Sequence, residues 1–135
     1  MSILQWNIRG FNTHRNDLRY LISQFNPYVI CLQETFLNTP PFPIPNYTFI
    51  HLPHSIHASS ILIHSSVPHQ LLANPTTLPC TFLRIFLKRW ITLFSIYLSP
   101  SLAFDFTSLQ TFLASLPPPF LVLGDFNSRN PFWGD

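Results

Sequence analysis

Polar residues that can bind a metal ion or a phosphate follow three apolar runs of the chain. Asn7 follows the first run, Glu34 follows the second, and Asp125 with Asn127 follows the third. Their carboxylate and carboxamide oxygens are hard ligands, and Mg²⁺ often takes only one or two protein carboxylates beside water and substrate phosphate. One carboxylate can hold the metal while the other orients an attacking water. Considered alone, Asp125 would be interpreted as a turn residue and Glu34 as a surface charge. Three apolar runs that each end in such polar residues favour a shared site instead.

The hydrophobic pattern predicts the elements that must position these residues. It predicts a strand over residues 3–6, a helix that Asn12 or Thr13 caps and that ends before Pro27, and a strand over residues 28–32. A strand, a helix and a strand build a parallel pair with a right-handed crossover. Ligand sites in such sheets lie beyond the carboxyl ends of the strands, where we expect the polar residues to meet.

The rest of the chain reads as further strands and one more helix. Four prolines in residues 39–45 predict an extended loop, and Lys88-Arg89 predicts a hairpin turn. A second helix starts near Asp105 and carries an apolar stripe. The predicted strands cover residues 47–52, 60–64, 81–87, 90–98 and 120–123. We therefore expect one α/β domain over residues 1–135.

Composition excludes several classes of protein. Charged residues make up 9% of the chain, where about 25% is usual, and hydrophobic residues make up 47%, which argues against disorder. The net charge of +2 is too small to indicate nucleic-acid binding by itself. The amino terminus does not resemble a signal peptide, and three cations interrupt the most apolar stretch, residues 82–98, so no membrane span is expected. Two cysteines form no disulfide framework, which predicts an intracellular location.

Two other groups of residues have competing interpretations. His51, His54 and His57 invite a zinc site, but structural zinc needs four ligands in a defined geometry, so we favour loop and strand-edge positions for them. The cations near Lys88, beside Trp90, either contact a DNA backbone or form a solvated hairpin turn. The sequence alone does not decide between these two interpretations of the cations.

Several motifs together resemble a known family. They are Trp6-Asn7-Ile8-Arg9-Gly10, Cys31-Leu32-Gln33-Glu34-Thr35, Tyr97 and Gly124-Asp125-Phe126-Asn127. The set resembles the endonuclease/exonuclease/phosphatase superfamily, which includes deoxyribonuclease-I-like enzymes, and within it the amino-terminal part of the endonuclease domain of jockey-type non-LTR retrotransposons. The resemblance implies a four-layer α/β sandwich of the deoxyribonuclease-I-like type, incomplete at the carboxyl end.

The resemblance also implies roles for individual residues. Glu34 and Asn7 match the family's metal-binding residues, with Mg²⁺ or Mn²⁺ as the ion. Tyr97 matches a tyrosine that contacts the scissile phosphate, Asp125 the aspartate that positions or deprotonates the attacking water, and Asn127 the asparagine that steadies it. The implied reaction nicks target DNA for reverse transcription by a polymerase domain encoded downstream. An active protein of this kind is expected in the nucleus.

The chain departs from the family pattern in ways that leave two hypotheses open. The family's catalytic histidine and its aspartate partner are expected beyond residue 135. A glycine pair expected before the strand at residues 60–64 is replaced around Ala58, which should strain the backbone. The chain is therefore either part of a metal-dependent DNA endonuclease or a catalytically inactive retrotransposon remnant or binding module.

Overall fold

The computed structural model describes residues 2–52, 58–73, 80–97, 106–115 and 119–125. The backbone forms two compact units, Met1–Pro68 and His69–Asp135. Within these described ranges, each unit contains one four-stranded sheet and one helix. The predicted mixture of helices and strands is therefore confirmed.

The first unit begins with the predicted strand, helix and strand. Its elements are β1 (Ile3–Asn7), α1 (Phe11–Phe25), β2 (Val29–Gln33), β3 (Tyr47–Leu52) and β4 (Ser59–His64). The sheet order is β1-β2-β4-β3, in which β1 and β2 are parallel and the other neighbours are antiparallel. The predicted parallel pair is confirmed, and its carboxyl ends lie at one edge of this sheet.

The start of α1 differs from the prediction. The helix begins directly after Gly10, and no side chain caps it, so the predicted capping by Asn12 or Thr13 is wrong. The first N–H groups of a helix have no partner inside the helix and need one elsewhere. Here the backbone supplies one, because the N–H of Phe11 donates to the carbonyl oxygen of Thr35 over 2.9 Å.

The end of α1 agrees with the prediction. Asn26 adopts a left-handed conformation with φ of 42°, and its N–H donates to the carbonyl oxygen of Ile22. Asparagine tolerates this conformation better than most residues, and Pro27 then prevents the helix from continuing. The chain can therefore turn directly into β2.

One hydrophobic core cluster of the first unit lies between α1 and one face of the sheet. Its buried members are Ile8, Phe11, Leu18, Ile30, Leu32, Leu37, Ile44 and Leu62. The loop between β2 and β3 contributes Leu37 and Ile44 to this core. It has no regular secondary structure, as its four prolines predict. Arg15 on α1 donates to the carbonyl oxygens of Phe42 and Pro43 over 2.7 and 2.8 Å, which fixes that loop against the helix.

The second unit also has a four-stranded sheet, but its antiparallel strands come first in the chain and its parallel pair comes last. Its elements are β5 (His69–Leu72), β6 (Cys80–Phe86), β7 (Trp90–Tyr97), α2 (Phe106–Ser115) and β8 (Phe120–Asp125). The order is β5-β6-β7-β8, with β7 and β8 parallel and the other neighbours antiparallel. Both sheets therefore end in a parallel pair joined through a helix-containing connection.

Two details of the second unit bear on the sequence predictions. The predicted turn at Lys88-Arg89 is confirmed, because β6 and β7 pair around it and the N–H of Leu87 donates to the carbonyl oxygen of Arg89. The strand β5 was not predicted, since its four residues show no alternation of apolar and polar side chains. The predicted start of α2 at Asp105 lies outside the described residues.

One hydrophobic core cluster of the second unit lies on the α2 side of its sheet. Its buried members are Cys80, Phe82, Phe94 and Ile96, and Phe112 and Leu113 of α2 pack against them. The rings of Phe82 and Phe112 meet edge to face with centroids 5.2 Å apart, a geometry that aromatic pairs prefer. Among the described residues, no helix is both long and apolar enough to cross a membrane.

Candidate functional site

Asn7 and Glu34 meet at the carboxyl ends of the parallel pair in the first unit. Asn7 is the last residue of β1 and lies opposite Gln33, the last residue of β2, so that Glu34 follows one position later. The two segments stay paired beyond the ends of β1 and β2. The N–H of Ile8 donates to the carbonyl oxygen of Gln33, and the N–H of Gly10 donates to the carbonyl oxygen of Glu34. The predicted proximity of these two site residues is confirmed.

Several residues around Asn7 and Glu34 have a left-handed backbone conformation, which is unusual for residues other than glycine. Positive φ angles occur at Arg9 (50°), Glu34 (53°), Phe36 (57°) and Ala58 (52°), and at Gly10 (115°). Ala58 belongs to the same edge, because its carbonyl oxygen accepts from the N–H of Thr35. A left-handed non-glycine residue costs roughly 1–3 kcal/mol, and such residues cluster at functional sites. The fold therefore maintains a costly loop arrangement around Glu34.

The same edge contains buried polar side chains that the sequence reasoning did not single out. Gln33 and Ser60 are 0% exposed and Thr35 is 1% exposed. Within the part of the chain that the structure describes, the Gln33 amide and the hydroxyls of Thr35 and Ser60 have no hydrogen-bond partner. Unsatisfied buried polar groups are rare and costly. The available signal was that Gln33 ends the apolar run of β2 and that Ser60 directly precedes the apolar run of β4.

The donor set at this edge fits a hard divalent cation. Asn7 and Glu34 are half-buried, and the Oδ1 atom of Asn7 is shielded from solvent. A carboxylate and a carboxamide supply oxygen ligands, and Mg²⁺ binds through one or two carboxylates while keeping several waters. The described residues contain no cluster of three or more His, Cys, Asp or Glu side chains. The oxygen donors of Asn7 and Glu34 are therefore of the kind that a hydrated Mg²⁺ ion takes.

The other predicted site residues belong to the second unit. Tyr97 and Asp125 are the last residues of β7 and β8 and lie opposite each other in the parallel ladder. The predicted strand end at residue 123 is two residues short, because β8 continues through Gly124 to Asp125. Asn127 lies outside the described residues. Each unit thus carries a pair of predicted site residues at the carboxyl end of its parallel strands.

Gly124 explains how β8 comes so close to β7 at this point. A Cβ atom built on Gly124 would lie 1.9 Å from the carbonyl oxygen of Ile96, its partner in the ladder. Only a residue without a side chain fits this approach. The glycine before Asp125 is therefore required by the contact with the neighbouring strand.

The three histidines of the alternative zinc interpretation are only partly described. His51 lies on β3, the outer strand of its sheet, as the strand-edge interpretation expects. Its ring stacks on Phe49 with centroids 6.4 Å apart and planes inclined by 30°. His54 and His57 lie outside the described residues.

Comparison with known proteins places the chain in a family. The sequence model of the Endonuclease/Exonuclease/phosphatase family matches residues 4–135. The RNA-directed DNA polymerase from the mobile element jockey of Drosophila melanogaster is 25% identical over 143 residues, which span 100% of this chain and 16% of that protein. The predicted resemblance to this retrotransposon group is confirmed.

The fold is similar to that of several solved structures. The endonuclease domain of TRAS1, a telomere-specific non-LTR retrotransposon, matches with a TM-score of 0.70 and 17% identity, covering 98% of this chain and 61% of that one. The TDP2 protein of D. rerio, complexed with a single-strand DNA product, matches with a TM-score of 0.62 and 18% identity, covering 96% of this chain and 62% of that one. These likenesses confirm the mixed α/β fold of the deoxyribonuclease-I-like type with two sheets. The chain belongs to the endonuclease/exonuclease/phosphatase family.

Proposed function

We propose that this chain is part of a metal-dependent endonuclease that hydrolyses a phosphodiester of DNA. The observation that carries the proposal is the edge of the first unit, where Asn7 and Glu34 meet on a strained backbone. The chain belongs to a family of nucleases and phosphatases, which supports phosphoester hydrolysis as the reaction at this edge. Members of this family generally depend on a divalent metal.

In the proposed reaction, Glu34 and Asn7 would hold Mg²⁺ or Mn²⁺ through their side-chain oxygens. The bound ion supplies Lewis-acid stabilisation of the charge that develops on the phosphate. The Asp125 carboxylate accepts a proton from the attacking water, whose oxygen bonds to phosphorus. The P–O bond to the leaving strand breaks, and the leaving oxygen takes up a proton from solvent water. Tyr97 contacts the phosphate and Asn127 orients the water.

The wider setting of the reaction follows from the relatives. TRAS1 and jockey are retrotransposon proteins, and the jockey protein is an RNA-directed DNA polymerase. We propose that both units belong to one endonuclease domain, that its substrate is target DNA in the nucleus, and that a reverse transcriptase domain is encoded with it. The nick would supply the primer for that polymerase.

A nicking assay on supercoiled plasmid tests the proposal with the full chain. We expect nicking that requires Mg²⁺ or Mn²⁺ and that falls by roughly 10²–10⁴-fold in Asp125→Asn, the usual contribution of a general base. The matched control is Asp17→Asn on α1, whose carboxylate is 71% exposed, and it should leave nicking unchanged. Equal nicking by wild type and Asp125→Asn would contradict the proposal and indicate a contaminating nuclease.

A direct measurement of metal binding separates the ion site from the chemistry. Electron paramagnetic resonance of Mn²⁺ should show binding to the wild type that weakens by at least about 10-fold in Glu34→Gln. Asp17→Asn should bind as the wild type does. Unchanged Mn²⁺ binding in Glu34→Gln would remove Glu34 from the proposed metal site.

One observation favours the second hypothesis, a catalytically inactive remnant. Ala58 has a left-handed backbone conformation in the segment where the family resemblance predicts a glycine pair. If the wild type neither nicks plasmid nor binds Mn²⁺ while melting cooperatively, the remnant hypothesis replaces the endonuclease. A folded protein that binds Mn²⁺ but does not nick would retain the proposed ion site without the activity.

A further inference from the structure

The second unit carries a basic aromatic surface at the opposite end of β7 from Tyr97. We call it the hairpin surface and define it by Arg84, Phe86, Lys88, Arg89, Trp90 and Phe120. It lies at the beginning of β7, whereas Tyr97 ends that strand. Seven residue steps of about 3.3 Å separate the two ends by roughly 23 Å. Within the second unit, the hairpin surface is therefore distinct from the strand ends that carry Tyr97 and Asp125.

The aromatic part of the hairpin surface lies on one face of the sheet. Phe86 lies opposite Trp90, and one row further along the sheet Thr92 lies opposite both Arg84 and Phe120. Because residues opposite each other and residues two apart share a face, all these side chains lie on the same side. Phe86, Trp90 and Phe120 are 40%, 43% and 39% exposed. Three partly exposed rings thus form a surface on which planar groups can stack.

The charge of the hairpin surface indicates the kind of partner. The Arg84 guanidinium lies over the Trp90 ring, 4.8 Å from its centroid, and Lys88 and Arg89 form the adjacent turn. Three of the seven basic residues of the chain fall within residues 84–89, and residues 69–104 include no acidic residue. A second copy of this chain would bring like charges together at this surface. Cations among stacking rings instead suit a polyanion with planar groups.

We propose that the hairpin surface binds single-stranded DNA. Bases stack on the rings of Phe86, Trp90 and Phe120, while Arg84, Lys88 and Arg89 contact phosphates. Single strands are favoured because their base faces are free, whereas those in a duplex are already stacked on each other. The choice of DNA rather than RNA depends on the proposed function, in which DNA is the substrate. The surface itself is independent of the proposed chemistry.

Fluorescence anisotropy with a labelled 16-nucleotide oligothymidylate tests the proposal on the full chain in EDTA, which removes the metal ion that the proposed nicking requires. Trp90→Ala should raise the Kd by about 5- to 100-fold, the usual effect of removing one stacking side chain. Trp90→Phe should keep most of the affinity. The matched control is Phe25→Ala on α1, because Phe25 is 62% exposed but lies outside the surface, and its Kd should not change.

The dependence of binding on salt tests the cations separately. Arg84→Gln should lower the slope of log Kd against log salt by about 0.7, the value for one phosphate contact on a single strand. The matched variant Arg19→Gln on α1 should leave the slope unchanged. Circular dichroism melts of all variants should be cooperative, and if Trp90→Ala fails to fold, the Arg84→Gln slope and the Trp90→Phe affinity carry the test.

Each other occupant of the surface has its own outcome. Equal or tighter binding of duplex DNA would overturn the proposal, and so would binding of RNA without binding of DNA. Sedimentation that shows a dimer lost in Trp90→Ala, together with no oligonucleotide binding, would assign the surface to self-association instead. Oligonucleotide binding is measured without metal, so a failure to bind would not contradict the proposed nicking activity. A failure to nick plasmid would likewise not contradict the proposed binding surface.

Discussion

The backbone N–H of Gly10 donates to the carbonyl oxygen of Glu34 over 2.9 Å. Both residues have positive φ angles, 115° at Gly10 and 53° at Glu34. The bond joins the loop that follows β1 to the loop that follows β2. It therefore holds the proposed metal-binding glutamate at a defined position beside Asn7.

Replacing Gly10 with alanine should destabilise the protein. The φ of 115° disfavours any residue with a Cβ, and the cost should be about 1–2 kcal/mol in the free energy of unfolding. Urea unfolding measures that energy. Space is not the reason, since a Cβ would lie 3.4 Å from Thr13 Oγ1. The double variant Gly10→Ala/Thr13→Ala should accordingly show no recovery, and full recovery would contradict the backbone explanation.

Replacing Ala58 with glycine should stabilise the protein. Ala58 has a φ of 52° and is buried, so glycine relieves backbone strain without removing much apolar contact. Relief of about 1–2 kcal/mol, less the greater chain entropy of glycine, leaves a gain of about 0.5–1 kcal/mol. The matched change Ala114→Gly on the exposed side of α2 should instead cost about 1 kcal/mol. Thermal melts that move in the same direction for both variants would contradict this account.

Replacing Gly124 with alanine should disrupt the pairing of β7 and β8. The new Cβ would lie 1.9 Å from the carbonyl oxygen of Ile96, a backbone atom that cannot turn away. Overpacking of this kind usually costs 1–3 kcal/mol, and a collision with backbone should cost at least about 3 kcal/mol. Urea unfolding should show this loss, whereas Ser95→Ala in the same strand pair should change stability by only about 1 kcal/mol. A Gly124→Ala protein as stable as the wild type would contradict the close approach.

Stability should fall at high pH because of Tyr47. Its hydroxyl donates to the carbonyl oxygen of Pro27 over 2.6 Å, and burial raises its pKa above the ordinary value of 10.0. The folded state therefore retains the phenolic proton more strongly than the unfolded state, so the contribution is complete below pH 10.0 and is lost as the pH rises through the folded pKa. Urea unfolding between pH 8 and pH 11 should show a smaller decline in Tyr47→Phe than in the wild type.

The same substitution at an exposed tyrosine provides the control for this pH effect. Tyr20 is 64% exposed on α1, so Tyr20→Phe should retain the decline of the wild type. An equal decline in Tyr47→Phe and the wild type would show that another group causes the loss.

Local patterns predicted most of the elements but not how some of them begin. The run at residues 28–32 and the Asn26-Pro27 stop predict β2 and the end of α1, because both depend on neighbours in the chain. The start of α1 depends instead on Thr35, a residue 24 positions beyond Phe11. Similarly, β5 exists through its pairing with β6, which no periodicity within four residues can indicate.

The sequence by itself determined the candidate site residues, because motifs such as Gln33-Glu34-Thr35 and Gly124-Asp125 carry chemistry in their residue types and their places at strand ends. Only the tertiary structure decided that Asn7 lies one rung from Glu34, that Tyr97 lies opposite Asp125, and that the backbone around Glu34 is left-handed. The physical reason is that sheet register and loop conformation arise from hydrogen bonds between residues far apart in the chain. A motif names the groups, and these long-range bonds set their positions.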